Sequence, residues 1–344
     1  MQPLLNTLYV TTDGSYLARR RETICVRRDK QVAAQFPIHV LESIVCFGKI
    51  GVSTKVLELC ARSGVPLSLL SPGGRFVGRV HGPTTGNVLL RRQQYRATDD
   101  PDAAGRIVRS LIIGKVSNCR TVLMRAARER DDSGGGCAEL RRAAQDLADV
   151  LQRLSCNVPM DTARGHEGEA AASYYGVFDH LIAAQKDGFT FTKRTRRPPL
   201  DPINALLSFL YTLLMNDVAG AVEAVGLDPA VGFLHRDRPG RLGLALDLME
   251  ELRPVLADRL ALSLINRRQI SPSDFRITES GAVWLNDAAR KEVLIAYQTR
   301  KQDTITHPFL NEEIQLGLVP HVQALLLARH LRGDLDGYPP FLWK

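Results

Sequence analysis

The sequence predicts an α+β protein, a small β-rich N-terminal domain joined to a larger all-α C-terminal domain. Two observations carry this. Short apolar or alternating runs separated by turn residues fill the first 82 positions, the pattern of strands. From Ala104 onward, apolar residues recur at helical spacing almost to the end of the chain. The stretch Gly82–Gly86 (GPTTG) stands where one pattern gives way to the other. The expected boundaries are 1–82 for the β-rich domain, 83–86 for a linker, 87–332 for the helical domain and 333–344 for a Pro-rich tail.

Taken in order, Thr7–Thr11, Thr23–Arg28 and Val32–Phe36 are extended candidates, with turn signals at Asp13-Gly14 and Asp29-Lys30. Ser43–Phe47 is an apolar strand. Val52–Ser63 reads as a short helix closed by Gly64. Val65–Leu70 and Arg75–Val80 flank Ser71-Pro72-Gly73-Gly74 as a hairpin. Past the linker, Ile107, Val108, Leu111, Ile112, Val116, Cys119, Val122 and Leu123 make one helical stripe. Asp131–Gly136 (DDSGGG) breaks it, and a second amphipathic helix runs to about Leu154. The next helix holds Arg164–Leu181. Phe189–Pro199 (FTFTKRTRRPP) is an exposed basic loop, and Asp201-Pro202 opens a leucine-rich helix to about Val225. Val231–Gly243 (VGFLHRDRPGRLG) is a loop by its glycines and proline. Leu244 to about Arg267 is helical, with Pro254 kinking or interrupting it. The remainder, including Ala288–Gln298 and Ile314–His330, is expected to be helical. The ending GDLDGYPPFLWK has no period, and its composition is that of a segment disordered until bound.

A length of 344 residues suits two domains, and 44% hydrophobic with 24% charged residues is a globular composition. No run of about 20 apolar residues is seen, so no membrane span is expected. The start, MQPLLNTLYVTTDG, lacks a basic region followed by a long apolar one, so no signal peptide is expected and the cytoplasm is the expected compartment. Basic residues exceed acidic ones, 45 to 37, for a net charge of +8, which permits a polyanionic partner without requiring one. Cysteines at 25, 46, 60, 119, 137 and 156 include no close pair. That excludes a zinc or redox motif and fits thiols of a reducing compartment.

The helix over Arg164–Leu181 carries the first candidate. Ala171, Tyr174, Phe178 and Leu181 share an apolar face, and Glu167 lies on that face. A core-facing carboxylate is costly unless it is paired or binds a metal. Partners are on offer elsewhere: His235 in the loop GFLHRDRPGR, and Asp247 with Glu250 in LALDLMEELRP, spaced to share a helix surface. Such oxygen and imidazole donors suit Mg²⁺ or Mn²⁺, the imidazole favouring Mn²⁺. An ion of that kind polarises phosphodiesters. Arg164, Arg236, Arg238, Arg241 and Arg253 crowd the same segments, as a phosphate-rich substrate requires. Each residue also has a plainer reading. His235 is then a structural or exposed histidine. Asp247 and Glu250, off the stripe of Ala245, Met249, Leu252, Leu256 and Leu260, form a solvated face. Glu167 is an acid favoured by a helix N-terminus, and Lys193, Arg194, Arg196 and Arg197 belong to a soluble loop.

At these residues the sequence resembles the CRISPR-associated integrases that insert new spacers into a repeat array. Gly165-His166-Glu167-Gly168 followed by Ala171 and Tyr174 is similar to the family's helix motif, Gly-x-Glu-Gly with Ala and Tyr after it. Gly232-Phe233-Leu234-His235 resembles its Gly-Phe-x-His motif, and Leu246-Asp247-Leu248-Met249-Glu250 its Leu-Asp-Leu-x-Glu/Asp motif. Asn204, Ser208 and Tyr211 resemble a further signature. LLNTLYVTT, SLLSPGGRFVGRV, GNVLLRRQQYR and the ending YPPFLWK look like the type I-C branch, so the resemblance runs end to end.

The resemblance implies that the helical domain is catalytic and that the β-rich one dimerises. It implies Glu167, His235 and Glu250 as metal ligands, with Glu where many relatives have Asp, and Asp247 as a neighbouring acid that ligates directly or through water. His166 stands where an aliphatic residue is usual. The implied cofactor is Mg²⁺ or Mn²⁺. The implied partners are double-stranded DNA, both spacer fragments and CRISPR repeat, a second copy of the chain, and the small second adaptation protein in a heterohexamer. The implied reaction is attack of a DNA 3′-hydroxyl on a phosphodiester at the repeat edge; with water as nucleophile the same site cuts DNA. Arg253, Arg241, Lys193, Arg194, Arg196 and Arg197 are the expected phosphate contacts. Two other readings stay open: a stand-alone metal-dependent repair nuclease, and a non-catalytic DNA-binding scaffold whose acids are structural.

Overall fold

The computed structural model describes residues 6–29, 31–72, 76–80, 82, 88–129, 136–156 and 158–343. The chain divides into two compact units, one of residues 1–86 with 285–303, the other of 87–284 with 304–344.

In the first unit, strands β1 (Thr7–Val10), β2 (Tyr16–Arg20), β3 (Thr23–Arg28), β4 (Gln31–Pro37), β5 (Ser43–Phe47) and β6 (Gly51–Val52) precede helix α1 (Thr54–Ser63), and β7 (Leu67–Leu70) and β8 (Phe76–Val80) follow it. They form two four-stranded sheets, ordered β1-β5-β7-β8 and β4-β3-β2-β6. β1, β5 and β7 are parallel, and β8 returns antiparallel on β7. Parallel neighbours need a crossover, and α1 supplies it between β5 and β7. Leu17, Ile24, Ile44, Val56, Leu59 and Leu67 meet in one core from both sheets and α1. α1 stops at Gly64, whose φ of +67° is left-handed, as expected of a helix-closing glycine. Val52 pairs in β6 rather than starting the helix. β2 escapes the sequence reading, since only Leu17 and Ala18 of YLARR are buried. The expected linker at 83–86, Lys30, the hairpin tip at 73–75 and residues 131–135 of DDSGGG lie outside the described residues.

The helix Asp287–Lys301 groups with this first unit, although it lies far along the chain. Its Arg290 donates to the Pro72 carbonyl and sits 5.8 Å over the Phe47 ring.

The second unit begins with α2 (Val88–Asp99), α3 (Pro101–Glu129), α4 (Cys137–Ser155) and α5 (Met160–Gly176). After a 3-10 turn at Phe178–Leu181 come α6 (Pro202–Val225), α7 (Gly243–Glu250), a π-helical turn at Arg253–Asp258, and α8 (Arg259–Asn266). Every residue of the expected stripe from Ile107 to Leu123 is buried, so α3 is the helix the others pack on: α2, α4, α5, α7 and the π turn all touch it. α6 is capped by Asp201, which accepts from the Asn204 amide at 2.8 Å, with Pro202 in its first turn. By length and composition α6 is apolar enough to cross a membrane, contrary to the expectation that no such stretch exists. Yet 67% of that stretch is buried inside the protein, as in a core helix. Pro254 interrupts the helix expected over Leu244–Arg267: α7 ends at Glu250 and the chain passes through the π turn into α8.

The rest is not all helical. β9 (Phe275–Ile277) pairs with β10 (Val283–Leu285), α9 is the helix Asp287–Lys301 already described, and β11 (Thr304–Thr306) pairs with β12 (Glu313–Gln315) before α10 (Val319–Arg332). Strands of three residues are too short to show a period.

The tail corrects a second expectation. It is packed. Tyr338 and Phe341 are buried at 3% and 0% exposure. The buried Glu251 accepts from the Tyr338 hydroxyl, the Gln323 side chain (2.9 Å) and the Phe341 amide (2.8 Å). Asn118 on α3 donates to the Glu251 and Phe341 carbonyls and accepts from the Trp343 amide. The Trp343 ring lies 3.9 Å from the Arg125 guanidinium and 4.1 Å from that of Arg259. Composition counts the prolines of this tail but not the aromatic anchors between them. Phe341→Ala is expected to destabilise the protein by about 3–5 kcal/mol, as for other buried aromatics, seen as a lower urea midpoint; an unmoved midpoint would contradict this packing.

Candidate active site

Three elements of the helical unit converge on one place. α5 brings Glu167, the loop after α6 brings His235, and α7 brings Asp247 and Glu250. A fourth, α3, adds Lys115, which the sequence reading did not single out.

Asp247 is the anchor. Its carboxylate is 0% exposed and accepts from the amides of Phe233 (2.6 Å), Leu234 (2.9 Å) and His235 (3.0 Å). It also meets His235 Nδ1 at 2.7 Å. An acid in that place makes Nδ1 the donor, so the neutral imidazole presents its Nε2 lone pair on the other side. Nε2 lies 3.9 Å from Glu250 Oε1. The turn is close-fitting: a Cβ on Gly232 would stand 2.8 Å from Asp247 Oδ2 and 2.6 Å from the Gly243 backbone. That is why glycine begins Gly-Phe-x-His. Arg164, one turn before Glu167, donates to the Leu234 carbonyl at 3.1 Å and so ties α5 to the same loop.

Glu250 is 5% exposed, not on a solvated face. α7 is buried on most of its surface, with Leu244, Ala245, Leu248 and Met249 also buried. Oε1 pairs with Arg253 at 3.0 Å and Oε2 lies 2.8 Å from Lys115 Nζ. Burial works against ionising this carboxyl, but Arg253 and Lys115 outweigh it and hold its pKa down to about 2. Lys115 also binds the Glu167 carboxylate, and the two acids raise its pKa against the opposing effect of burial. Glu167 keeps 27% of its side chain exposed, so the site opens on its side.

Arg253 does not reach out toward solvent as a ready phosphate contact. It is held between Glu250 and the Tyr211 ring, 4.9 Å away. Tyr211 and Tyr174 donate to the buried Asp258 of the π turn at 2.7 and 3.1 Å. Burial drives Asp258 up to about 6 despite those two hydrogen bonds. Arg194 is likewise occupied, clamping Asn204 (2.6 Å) and Ser208 (3.1 Å) at the start of α6. Lys193, Arg196 and Arg197 are exposed, and Arg241 is half-buried.

The donor types suit a divalent ion. Two carboxylates share one cation, Lys115, and the imidazole turns its Nε2 toward Glu250 at 3.9 Å. Among the described residues no three His, Cys, Asp or Glu side chains already stand as an ion's ligand set. An ammonium, Lys115, holds the point on which the two acids converge.

The match of its sequence to a known family places the chain in the class of CRISPR-associated proteins. The sequence pattern of the CRISPR associated protein Cas1 family matches residues 8–299, and the chain belongs to that family. It is 54% identical over 347 residues to the CRISPR-associated endonuclease Cas1 2 of Rhodospirillum rubrum, covering 100% of both chains. It is 48% identical over 344 residues to the CRISPR-associated endonuclease Cas1 1 of Chlorobaculum tepidum, again covering 100% of both. Its fold is similar to that of a Cas1 protein from Thermotoga maritima, with a TM-score of 0.83 at 24% identity over 98% of this chain and 100% of that one. It is equally similar, at TM-score 0.83, to a casposase bound to its integration product (21% identity; 98% of this chain, 94% of that one). A chain of a Cas6-RT-Cas1–Cas2 complex also gives 0.83 (22% identity; 98% of this chain, 36% of that one).

Proposed function

We propose that this protein is a divalent-metal-dependent DNA endonuclease and strand-transfer enzyme that inserts short DNA fragments into a CRISPR array. The observation that carries the reading is the convergence of Glu167 and Glu250 on a single cation, with His235 Nε2 turned toward them, in a chain of the Cas1 family. Glu167, His235 and Glu250 would hold Mg²⁺ or Mn²⁺. Such an ion, when bound, supplies Lewis-acid activation of the attacking oxygen and of the phosphodiester. His235 gives its Nε2 lone pair. Asp247 keeps that nitrogen aimed by holding Nδ1, and both its oxygens are already engaged, so it serves as the orienting acid and not as a further ligand. Arg253 and Lys115 bring positive charge to the place where charge grows on the phosphate in the transition state.

The nucleophile is the 3′-hydroxyl of a DNA fragment, or water when the strand is cut. The exposed Lys193, Arg196 and Arg197 grip the duplex backbone without reading bases. A homodimer bridged to a Cas2 partner in a heterohexamer is the assembly we propose; the Cas1–Cas2 and Cas1–DNA complexes whose fold this chain shares support the Cas2 partner and the DNA.

The test is joining of a labelled oligonucleotide to a repeat-bearing duplex with Mn²⁺. Glu167→Gln, which keeps the shape and removes the charge, is expected to lower joining and cutting at least about 100-fold, the scale of losing one transition-state stabilising group. Full activity in that variant would sink the assignment. Cutting without joining, with the Cas2 partner present, would leave a plain nuclease.

A further inference from the structure

Lys115 is the residue of the site that needs an explanation. It stands on α3 among apolar neighbours: Leu111, Ile112, Val116 and Cys119 are all buried. Its side chain is 12% exposed and its ammonium spans Glu167 and Glu250. Holding a charge there is unfavourable unless both acids remain ionised beside it. Glu167 and Glu250 each have a cationic partner without any ion, in Lys115 and Arg253, while Asp247 accepts from three amides and meets His235 Nδ1.

We propose that Lys115 is a resident place-holder cation, which occupies the point between Glu167 and Glu250 until a divalent ion and DNA enter together. The statement rests on the metal-dependent reading above and adds how that site is loaded. An ammonium and a divalent ion cannot share one point, because like charges at contact distance repel strongly in a low-dielectric pocket. Entry of the ion moves Lys115 off the carboxylates. The displaced ammonium would then lie beside a divalent ion with its two carboxylate partners taken. A DNA phosphate gives the displaced ammonium a new partner. Ion and DNA therefore bind with positive coupling, and by linkage each tightens the other by the same factor. The site is kept from holding an ion when no DNA is present.

The test is Mn²⁺ binding measured by calorimetry, with and without a non-cleavable duplex, on the full chain and on Lys115→Met. Methionine keeps the length of the stem and removes the charge. In the unsubstituted protein, DNA is expected to tighten Mn²⁺ binding by about ten-fold or more, within the usual range of coupling between sites. In Lys115→Met, Mn²⁺ is expected to bind at least about ten-fold more tightly without DNA, with most of the coupling gone. The melting temperature of Lys115→Met should fall without ion, as two acids lose their cation, and rise more steeply with Mn²⁺ than that of the unsubstituted protein. Lys115→Arg, which keeps the charge, should retain the coupling and serves as the folded control. Unchanged or weaker Mn²⁺ binding in Lys115→Met would overturn the place-holder role. A different result overturns the reading beneath it: Mn²⁺ binding that is absent with DNA present, or that persists in His235→Ala, means that Glu167, His235 and Glu250 are not the ligands.

Discussion

Glu250→Ala is expected to abolish DNA cutting and joining, and to destabilise the fold by about 3–5 kcal/mol, the cost of removing one partner from a buried charge cluster. The reason is local. Glu250 neutralises two cations at once, Arg253 through Oε1 and Lys115 through Oε2. Without it, Arg253 keeps the Tyr211 ring and the charge of Asp258, and Lys115 keeps Glu167. Activity is lost for a separate reason, since the imidazole of His235 no longer faces a carboxylate at 3.9 Å. Glu250→Asp separates the two effects. It restores the charge with one methylene less, so stability should largely return, whereas activity depends on whether α7 can approach. Urea denaturation beside a cleavage assay measures both. Wild-type stability and cleavage in Glu250→Ala would show that the cluster is neither structural nor catalytic.

Asp247→Asn is expected to have nearly as large an effect on activity, although this residue is proposed to touch neither ion nor DNA. Its two oxygens accept from the amides of Phe233, Leu234 and His235 and from His235 Nδ1. An asparagine can keep one accepting oxygen, but its NH₂ group must then face a donor. Whichever way the amide turns, a buried N–H is left without an acceptor, at about 1–3 kcal/mol. If the unmatched group is the imidazole, His235 shifts to the tautomer that puts its proton on Nε2, where a lone pair is needed. Removing such a support typically costs 10- to 100-fold in metal affinity or activity, on the order of one to two decades. The expected readout is weaker Mn²⁺ binding and lower cleavage together, with a folded protein by circular dichroism. Unchanged Mn²⁺ affinity would show that Asp247 does not orient His235.

The two acids of α7 also show where sequence reasoning stops. On a helical wheel they leave the main apolar stripe, which is the pattern of a solvated face. Burial of both follows from neighbours contributed by distant elements. α3, α6 and α10 all pack against this short helix. No window of sequence contains that information. Lys115 is a different kind of miss. It lies in register with Leu111, Cys119 and Val122, each buried. The argument that drew attention to Glu167, a charge on an apolar stripe, applies to it equally. A base on an apolar stripe is as legible in the sequence as an acid. The tail was misread for a third reason: proline content speaks for disorder, but Tyr338 and Phe341 have partners 80 residues or more away on α3 and beside α7, such as Glu251 and Asn118.

By itself the sequence determined the change from a β-rich stretch to a helical one, the long buried stripe of α3, the break at Pro254 and the identity of the candidate donors. These are local properties, set by side-chain period, by a missing amide proton and by residue chemistry. Only the tertiary structure decided which acid orients and which is free to bind, because that depends on which donors already occupy each oxygen. It decided as well that a lysine from α3 stands between Glu167 and Glu250. A charge balance is a property of groups brought together across the fold, and the residues that set it here are 52 positions apart in one pair and further in the other.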